Sequence, residues 1–263
     1  MAALVVIPAR YGSTRFPGKP LAPLKGKPVI QHVYENARGS RLAARVVVAT
    51  DSEKIAAAVA SFGGEAVMTS ADHASGTDRA AEVASMEGYS SYDIIVNVQG
   101  DEPMVRAEMV DAVAALLADE SAPGARAASM GTLARRIESP RELLDPGVVK
   151  VVFDPEGFAL YFSRAPIPFH RDLWGPGGWP LDGAEAAGFT AFKHVGIYSY
   201  RRKALLGLTA AGPSPLEAIE KLEQLRALEG GMRIKVGITP FDTIGVDTPE
   251  DLERVEKCLS SSS

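Results

Sequence analysis

The chain has 263 residues, 46% of them hydrophobic and 23% charged, with a formal net charge of −5 and one cysteine, Cys258. This composition suits a globular chain with a sizeable core and argues against a disordered segment or a protein held to nucleic acid by overall positive charge. The lone cysteine rules out an intrachain disulfide and a CxxC metal site, and no apolar run approaches the ~20 residues of a membrane helix, so neither nucleic acid nor a membrane is expected as a partner.

Leu4–Ile7 is a short apolar run closed by Pro8, the pattern of a buried strand, and nothing before or after it resembles a secretory signal. It empties into ARYGSTRFPGKP, a loop that carries Arg10, Arg15 and Lys19, the glycines 12 and 18, the hydroxyls of Ser13 and Thr14, and no acid. Such a loop suits a polyanion, because glycine lets the backbone approach and the cations supply charge and donors. In an acidic chain this basic cluster is local, so a phosphorylated small molecule is the expected ligand. It is not a Walker A loop: five residues separate Gly12 from Gly18, and Pro20 follows Lys19 where the magnesium-binding hydroxyl would stand. The competing reading is a solvated basic surface loop.

Pro28 is placed as the first residue of a helix, PVIQHVYENA. Arg45–Thr50 (RVVVAT) reads as a second buried strand, Ser52 caps an alanine-rich helix ending at Gly63 and Gly64, and Ala66–Met68 reads as a short strand. Ser75-Gly76-Thr77-Asp78-Arg79 opens another helix. Its backbone amides and the Arg79 guanidinium are donors for a ring edge, while the plainer reading is capping by Thr77. Asp93–Val98 is a strand that runs into Gln99-Gly100-Asp101-Glu102-Pro103, and a helix follows near Glu108–Ala118. This alternation predicts an α/β fold, one compact unit with a mostly parallel sheet and helices on both faces. Ligands of such sheets bind beyond the carboxyl ends of the strands, where the Arg10 loop, Asp51 and Asp101 fall.

In the second half, strands are expected at Ala128–Leu133, Val148–Phe153, His194–Tyr200 and Arg233–Ile238, and a long helix over Pro215–Leu228. Trp174–Gly188 reads as an irregular loop, and Ser260–Ser263 as a frayed tail. Asp101, in a turn beyond an apolar strand, is either a hard-cation ligand or a turn former. Asp247 precedes Thr248-Pro249 and has the ordinary reading of a helix start beside that of a metal ligand. Arg164, in the proline-bounded SRAPIP, is a carboxylate clamp or a surface ion pair. A period of two puts His194, Gly196 and Tyr198 on one strand face. Glu217, Glu220, Glu223 and Gln224 share the polar side of the long helix, opposite Leu216, Ile219, Leu222 and Leu225, and that side is expected to be solvated.

In order along the chain, IPARYGSTRFPGKPL, NVQGDEP, YFSRAPIP, KHVGIY, EKLEQLR and GVDTPEDLE resemble the 3-deoxy-D-manno-octulosonate (Kdo) cytidylyltransferases, or CMP-Kdo synthetases, from Leu4 to about Glu256. The first motif is shared more loosely with CMP-sialic acid synthetases. The resemblance implies a glycosyltransferase-A-like nucleotidyltransferase fold in a single domain over residues 1–259, its nucleotide part about 1–120 and its sugar-binding and dimerisation part about 121–259. It implies a cytoplasmic homodimer that joins CTP and Kdo with Mg²⁺ for lipopolysaccharide synthesis. It also implies that Arg10, Ser13, Arg15 and Lys19 contact the triphosphate, that Ser75, Gly76, Arg79 and Gln99 hold the nucleotide, and that Asp101 and Asp247 bind Mg²⁺. Lys19, Asp101 and Asp247 then form the catalytic group, and Arg164, His194, Tyr198, Glu223 and Gln224 hold the sugar acid. The alternatives are an amino-Kdo or sialic acid acceptor, and a nucleotide-binding module without turnover.

Overall fold

Seven buried residues, Ala3–Ala9, form strand β1, with Val5 and Ile7 facing one side of the sheet and Leu4 and Val6 the other. This organisation comes from a computed structural model that describes residues 2–12, 16–118, 127–171 and 190–261. After β1 come the small hairpin β2 (Pro23–Leu24) and β3 (Lys27–Pro28), then α1 (Val29–Arg38), β4 (Ala43–Thr50), α2 (Glu53–Ser61), β5 (Ala66–Met68) and α3 (Gly76–Ser85). β6 (Ile94–Asn97), α4 (Ala107–Ala115), β7 (Met130–Arg136), α5 (Pro140–Leu144), β8 (Lys150–Phe153) and β9 (Ala159–Ser163) follow. The chain closes with β10 (Phe192–Arg201), α6 (Arg202–Ala210), α7 (Pro215–Glu220), α8 (Gln224–Glu229), β11 (Ile234–Ile238) and α9 (Pro249–Ser261).

The main sheet runs β11-β7-β10-β6-β1-β4-β5. β6, β1, β4 and β5 are parallel, β10 lies antiparallel between β6 and β7, and β11 is parallel to β7. One face packs apolar residues of α1, α2 and α4, and the other packs those of α3, α6 and α8. The sheet is thus mostly parallel with helices on both faces, as the alternating pattern predicts. No helix among the described residues is long and apolar enough to cross a membrane.

Several expectations are corrected. Pro28 ends β3 and caps α1, which starts at Val29. The helix cap at the SGTDR turn is Ser75, whose hydroxyl accepts from the Asp78 N–H while Asp78 accepts from the Ser75 N–H; Thr77 lies inside α3. The long helix breaks at Lys221, a left-handed residue (φ 55°, ψ 45°). Tertiary bonds override the helical pattern there: Glu220 accepts from Ser163 and from the Arg164 N–H, whereas Glu223 accepts from Ser75 and Thr77. One straight helix would hold those two carboxylates on a common face. The polar side is not solvated either, since Glu217 takes a two-pronged bond from Arg226 and Gln224 is buried, while Ile219, expected inward, is 76% exposed. The motif YFSRAPIP begins with a strand, β9, that pairs with β8. α9 runs to Ser261, into the tail expected to fray, with the Ser260 hydroxyl bonded to the Glu256 carbonyl.

Candidate active site

The carboxyl ends of β1 and β6 open into a cleft of about 260 Å³. Arg10 leaves the end of β1, Lys19 and Pro20 stand in a 3-10 turn, and Ser75 and Gly76 begin α3. Gln99, Gly100 and Asp101 follow β6, and Asp247 precedes α9. Gly100 is required by close approach: a Cβ there would lie 2.5 Å from the Pro8 carbonyl oxygen. Gly18 has φ 71° and its N–H closes the basic loop onto the Tyr11 carbonyl at 3.0 Å. Ser13 and Arg15 lie outside the described residues, as does Trp174–Gly188.

Lys19 does not extend freely outward, as its place between Gly18 and Pro20 suggests. Its side chain is 12% exposed and its ammonium donates both to Asp101 and to Asp247 Oδ1, the latter at 3.0 Å. Burial opposes the charged form, yet the two carboxylates outweigh it and raise the lysine above its ordinary value of 10.5. The fold thereby joins residues near the start, middle and end of the chain at one atom. Among the described residues no third His, Cys, Asp or Glu completes a metal-binding group with them.

Arg79 is buried and its guanidinium is anchored from beneath the cleft by Thr69 Oγ1 (2.6 Å), the Ser70 carbonyl (3.0 Å) and Asp51 Oδ2 (3.0 Å). His73, which the sequence pattern gave no reason to single out beyond its nearness to Ser75, also lines the cleft and pairs with Glu82. Glu102 was missed as well. It is a buried carboxyl pushed up to about 8 by burial first and by Asp101 next.

Ser75 links this cleft to a second group of expected site residues. Its hydroxyl donates to Glu223 Oε1 at 3.0 Å, and Thr77 donates to the other oxygen. Burial raises the Glu223 carboxyl, and the two hydroxyls moderate the rise. Gln224 follows, accepting from the Tyr198 hydroxyl at 3.2 Å. Burial, then Glu223, hold Tyr198 protonated by raising it. His194 stacks 5.3 Å from Tyr198, in line with the period of two, and its Nε2 lies 2.9 Å from Thr132 Oγ1. That hydroxyl has its single proton directed at backbone carbonyls of β10, including Ile197 at 2.9 Å, so it accepts from Nε2–H and leaves Nδ1 as an acceptor. Burial pushes His194 down to about 3, so it is neutral. Arg164 spends two donors on carbonyls, Nε to Glu220 (2.8 Å) and Nη1 to Pro146 (2.9 Å).

The profile of the family described as Cytidylyltransferase matches residues 4–234. A 3-deoxy-manno-octulosonate cytidylyltransferase of Thermodesulfovibrio yellowstonii is 51% identical over 100% of both chains, and one of Geobacter sulfurreducens is 54% identical over 97% of this chain and 98% of its own. The chain belongs to the 3-deoxy-manno-octulosonate cytidylyltransferase family. A solved cytidylyltransferase of this kind, a CMP:2-keto-3-deoxy-manno-octonic acid synthetase complexed with CTP, superposes with a TM-score of 0.87 at 42% identity over the whole of both chains. A 4-diphosphocytidyl-2C-methyl-D-erythritol synthase of Anaerococcus prevotii, 10% identical with a TM-score of 0.61 over 98% of each chain, shares the nucleotidyltransferase fold.

Proposed function

We propose that the chain transfers CMP from CTP to the anomeric hydroxyl of Kdo, forming CMP-Kdo and pyrophosphate. The observation that carries this reading is the convergence of Asp101, Asp247 and Lys19 in a cleft that Ser75 and Glu223 join to a half-buried polar patch. The relatives are named for this one acceptor, so an amino-Kdo or sialic acid acceptor is not favoured.

In the reaction the sugar hydroxyl oxygen bonds to the α-phosphorus, the bond from that phosphorus to the bridging oxygen breaks, and pyrophosphate leaves as the hydroxyl proton passes to solvent. Catalysis is then positioning and charge compensation, with no covalent nucleophile. Arg10, Ser13, Arg15 and Lys19 hold the triphosphate. Ser75, Gly76, Arg79 and Gln99 hold the cytidine, Arg79 being kept in place by Asp51. Arg164, His194, Tyr198, Glu223 and Gln224 hold the sugar acid.

Asp101 and Asp247 fit a divalent cation. They already converge on one cationic atom, and two carboxylates are the usual protein share of a Mg²⁺ site completed by water and phosphate oxygens. Bound there, Mg²⁺ supplies charge neutralisation on the phosphoryl oxygens and a lower pKa for the attacking hydroxyl. We also propose a cytoplasmic homodimer serving lipopolysaccharide synthesis. The sequence resemblance carries that reading.

Pyrophosphate release on mixing the chain with CTP, Mg²⁺ and Kdo, amino-Kdo or sialic acid tests the reaction. Release with Kdo above the others is expected. No release with Kdo, or none lost on chelation, overturns the acceptor or the metal, respectively.

A further inference from the structure

Asn97 closes β6 just before the Gln99–Asp101 turn and is completely buried. Neither atom of its side-chain amide has a hydrogen-bond partner among the described residues, and the same holds for the Nε2 of Gln224, a residue only 4% exposed. The two amides border one tyrosine. Asn97 is registered opposite Tyr198 across the antiparallel β6–β10 pair, so their side chains leave the sheet on the same face. Ile95 and Tyr200, the next pair along, share that face in the core beneath α3 and α8. Gln224 reaches the same tyrosine from α8, through its Oε1.

Buried amides nearly always find partners, and leaving one unmade is costly. On stability alone an aliphatic side chain would serve better at position 97, and sites that break such a rule are commonly functional. We infer that Asn97 is a positioning residue for the acceptor end, acting through one enclosed water that it shares with Gln224. The water accepts from the two amide nitrogens and donates to Asn97 Oδ1, which gives it the number of polar partners a buried water needs. It fixes the Gln224 carboxamide, and through it the Tyr198 hydroxyl, in the orientation met by the acceptor. The inference rests on the reading of Tyr198 and Gln224 as sugar-acid contacts.

Asn97→Leu and Asn97→Ser test it, by acceptor KM and kcat, CTP titration calorimetry and thermal melting of the full chain. N97L is expected to melt at or above the wild-type temperature and to bind CTP as the wild type does. Its KM for Kdo should rise about tenfold or more, with kcat within about threefold, as expected for loss of a binding network. N97S keeps a hydroxyl for the water, so its KM should fall between the two. An unchanged KM in N97L shows that the amide is idle. A variant that fails to fold, or that loses CTP affinity and melting temperature along with KM, shows a structural role. Either result overturns the inference. A wild-type chain inert toward Kdo breaks the functional reading itself, whereas an active wild type beside an unaltered N97L breaks this inference alone.

Discussion

Lys19 sits between two partly exposed carboxylates at one end of the site, whereas at the other end the half-buried His194 and Tyr198 and the buried Gln224 carry no formal charge. The first end is assembled from loops at the carboxyl ends of parallel strands, the second from an antiparallel strand and a broken helix. On the proposed reading, the contrast teaches how one cleft can serve two substrates. Arg10 and Lys19 line the first end, and cations there suit a triphosphate, whose own charge must be compensated on arrival. Neutral dipoles held in fixed orientations suit a sugar, because a site built around hydroxyls rejects molecules that leave its polar groups unpaired.

The largest effect should come from the charged end. Asp101→Asn is expected to bind CTP but to release pyrophosphate ~10²-fold more slowly or worse, as for loss of a metal ligand. Pyrophosphate assay beside calorimetry checks this, and near-normal turnover would remove Asp101 from the chemistry and break the comparison.

Lys19→Ala should lose about 10–150-fold in CTP affinity or turnover, the worth of a charge-assisted contact. Because both carboxylates hold this ammonium, the variant should also melt below the wild type. The raised lysine pKa gives the sign: the folded state binds a proton more tightly than the unfolded, so the stability it contributes is complete below 10.5 and lost as pH climbs through the raised value. The melting gap should therefore hold at neutral pH and narrow only in strong alkali. Unchanged CTP affinity together with unchanged melting would make Lys19 an ordinary surface cation.

Glu223→Gln sharpens the boundary between the two ends. Gln keeps one acceptor for Ser75 or Thr77 and loses the other. Acceptor KM should rise about tenfold while CTP affinity stays put, matching the loss of one good hydrogen bond. An equal fall in CTP affinity would show that the ends cannot be separated.

The smallest effect on stability at neutral pH belongs to His194→Gln. The wild-type histidine stays neutral in the fold down to about 3 but takes a proton near 6.5 when unfolded. Its stability term is present above 6.5 and is lost as pH falls toward 3, with a slope of at most ~1.4 kcal/mol per pH unit. Acid melting curves of the variant should thus be shallower than those of the wild type over that window. Parallel curves would mean that His194 is not buried neutral.

How much of this was legible in the sequence follows from the range of each interaction. The apolar runs that became β1, β4 and β6 are local, and so are the loops that follow them, which is why the cleft could be placed at their ends. The pairing of Lys19 with Asp101 and Asp247 is tertiary, and no local pattern distinguishes a lysine aimed at phosphate from one held by two aspartates. The break at Lys221 has no glycine or proline to announce it. It exists because Ser163 and Arg164 draw Glu220 one way while Ser75 and Thr77 draw Glu223 another. Arg79 lines the cleft, but its burial on Asp51 and Thr69 depends on where β4 and β5 end.

The placement of β10 in the middle of the sheet has a consequence for synthesis. A growing polypeptide can zip β1, β4, β5 and β6 together as soon as those segments clear the ribosome. β7 cannot join them directly, because its seat beside β6 is taken by a strand made some sixty residues later. The C-terminal third must therefore arrive before the sheet is whole, and Asp247 only after that. A prematurely released fragment would carry a nearly finished half-sheet with a bare apolar border at β6, a natural target for chaperones and proteases, and would lack one of the two carboxylates that grip Lys19.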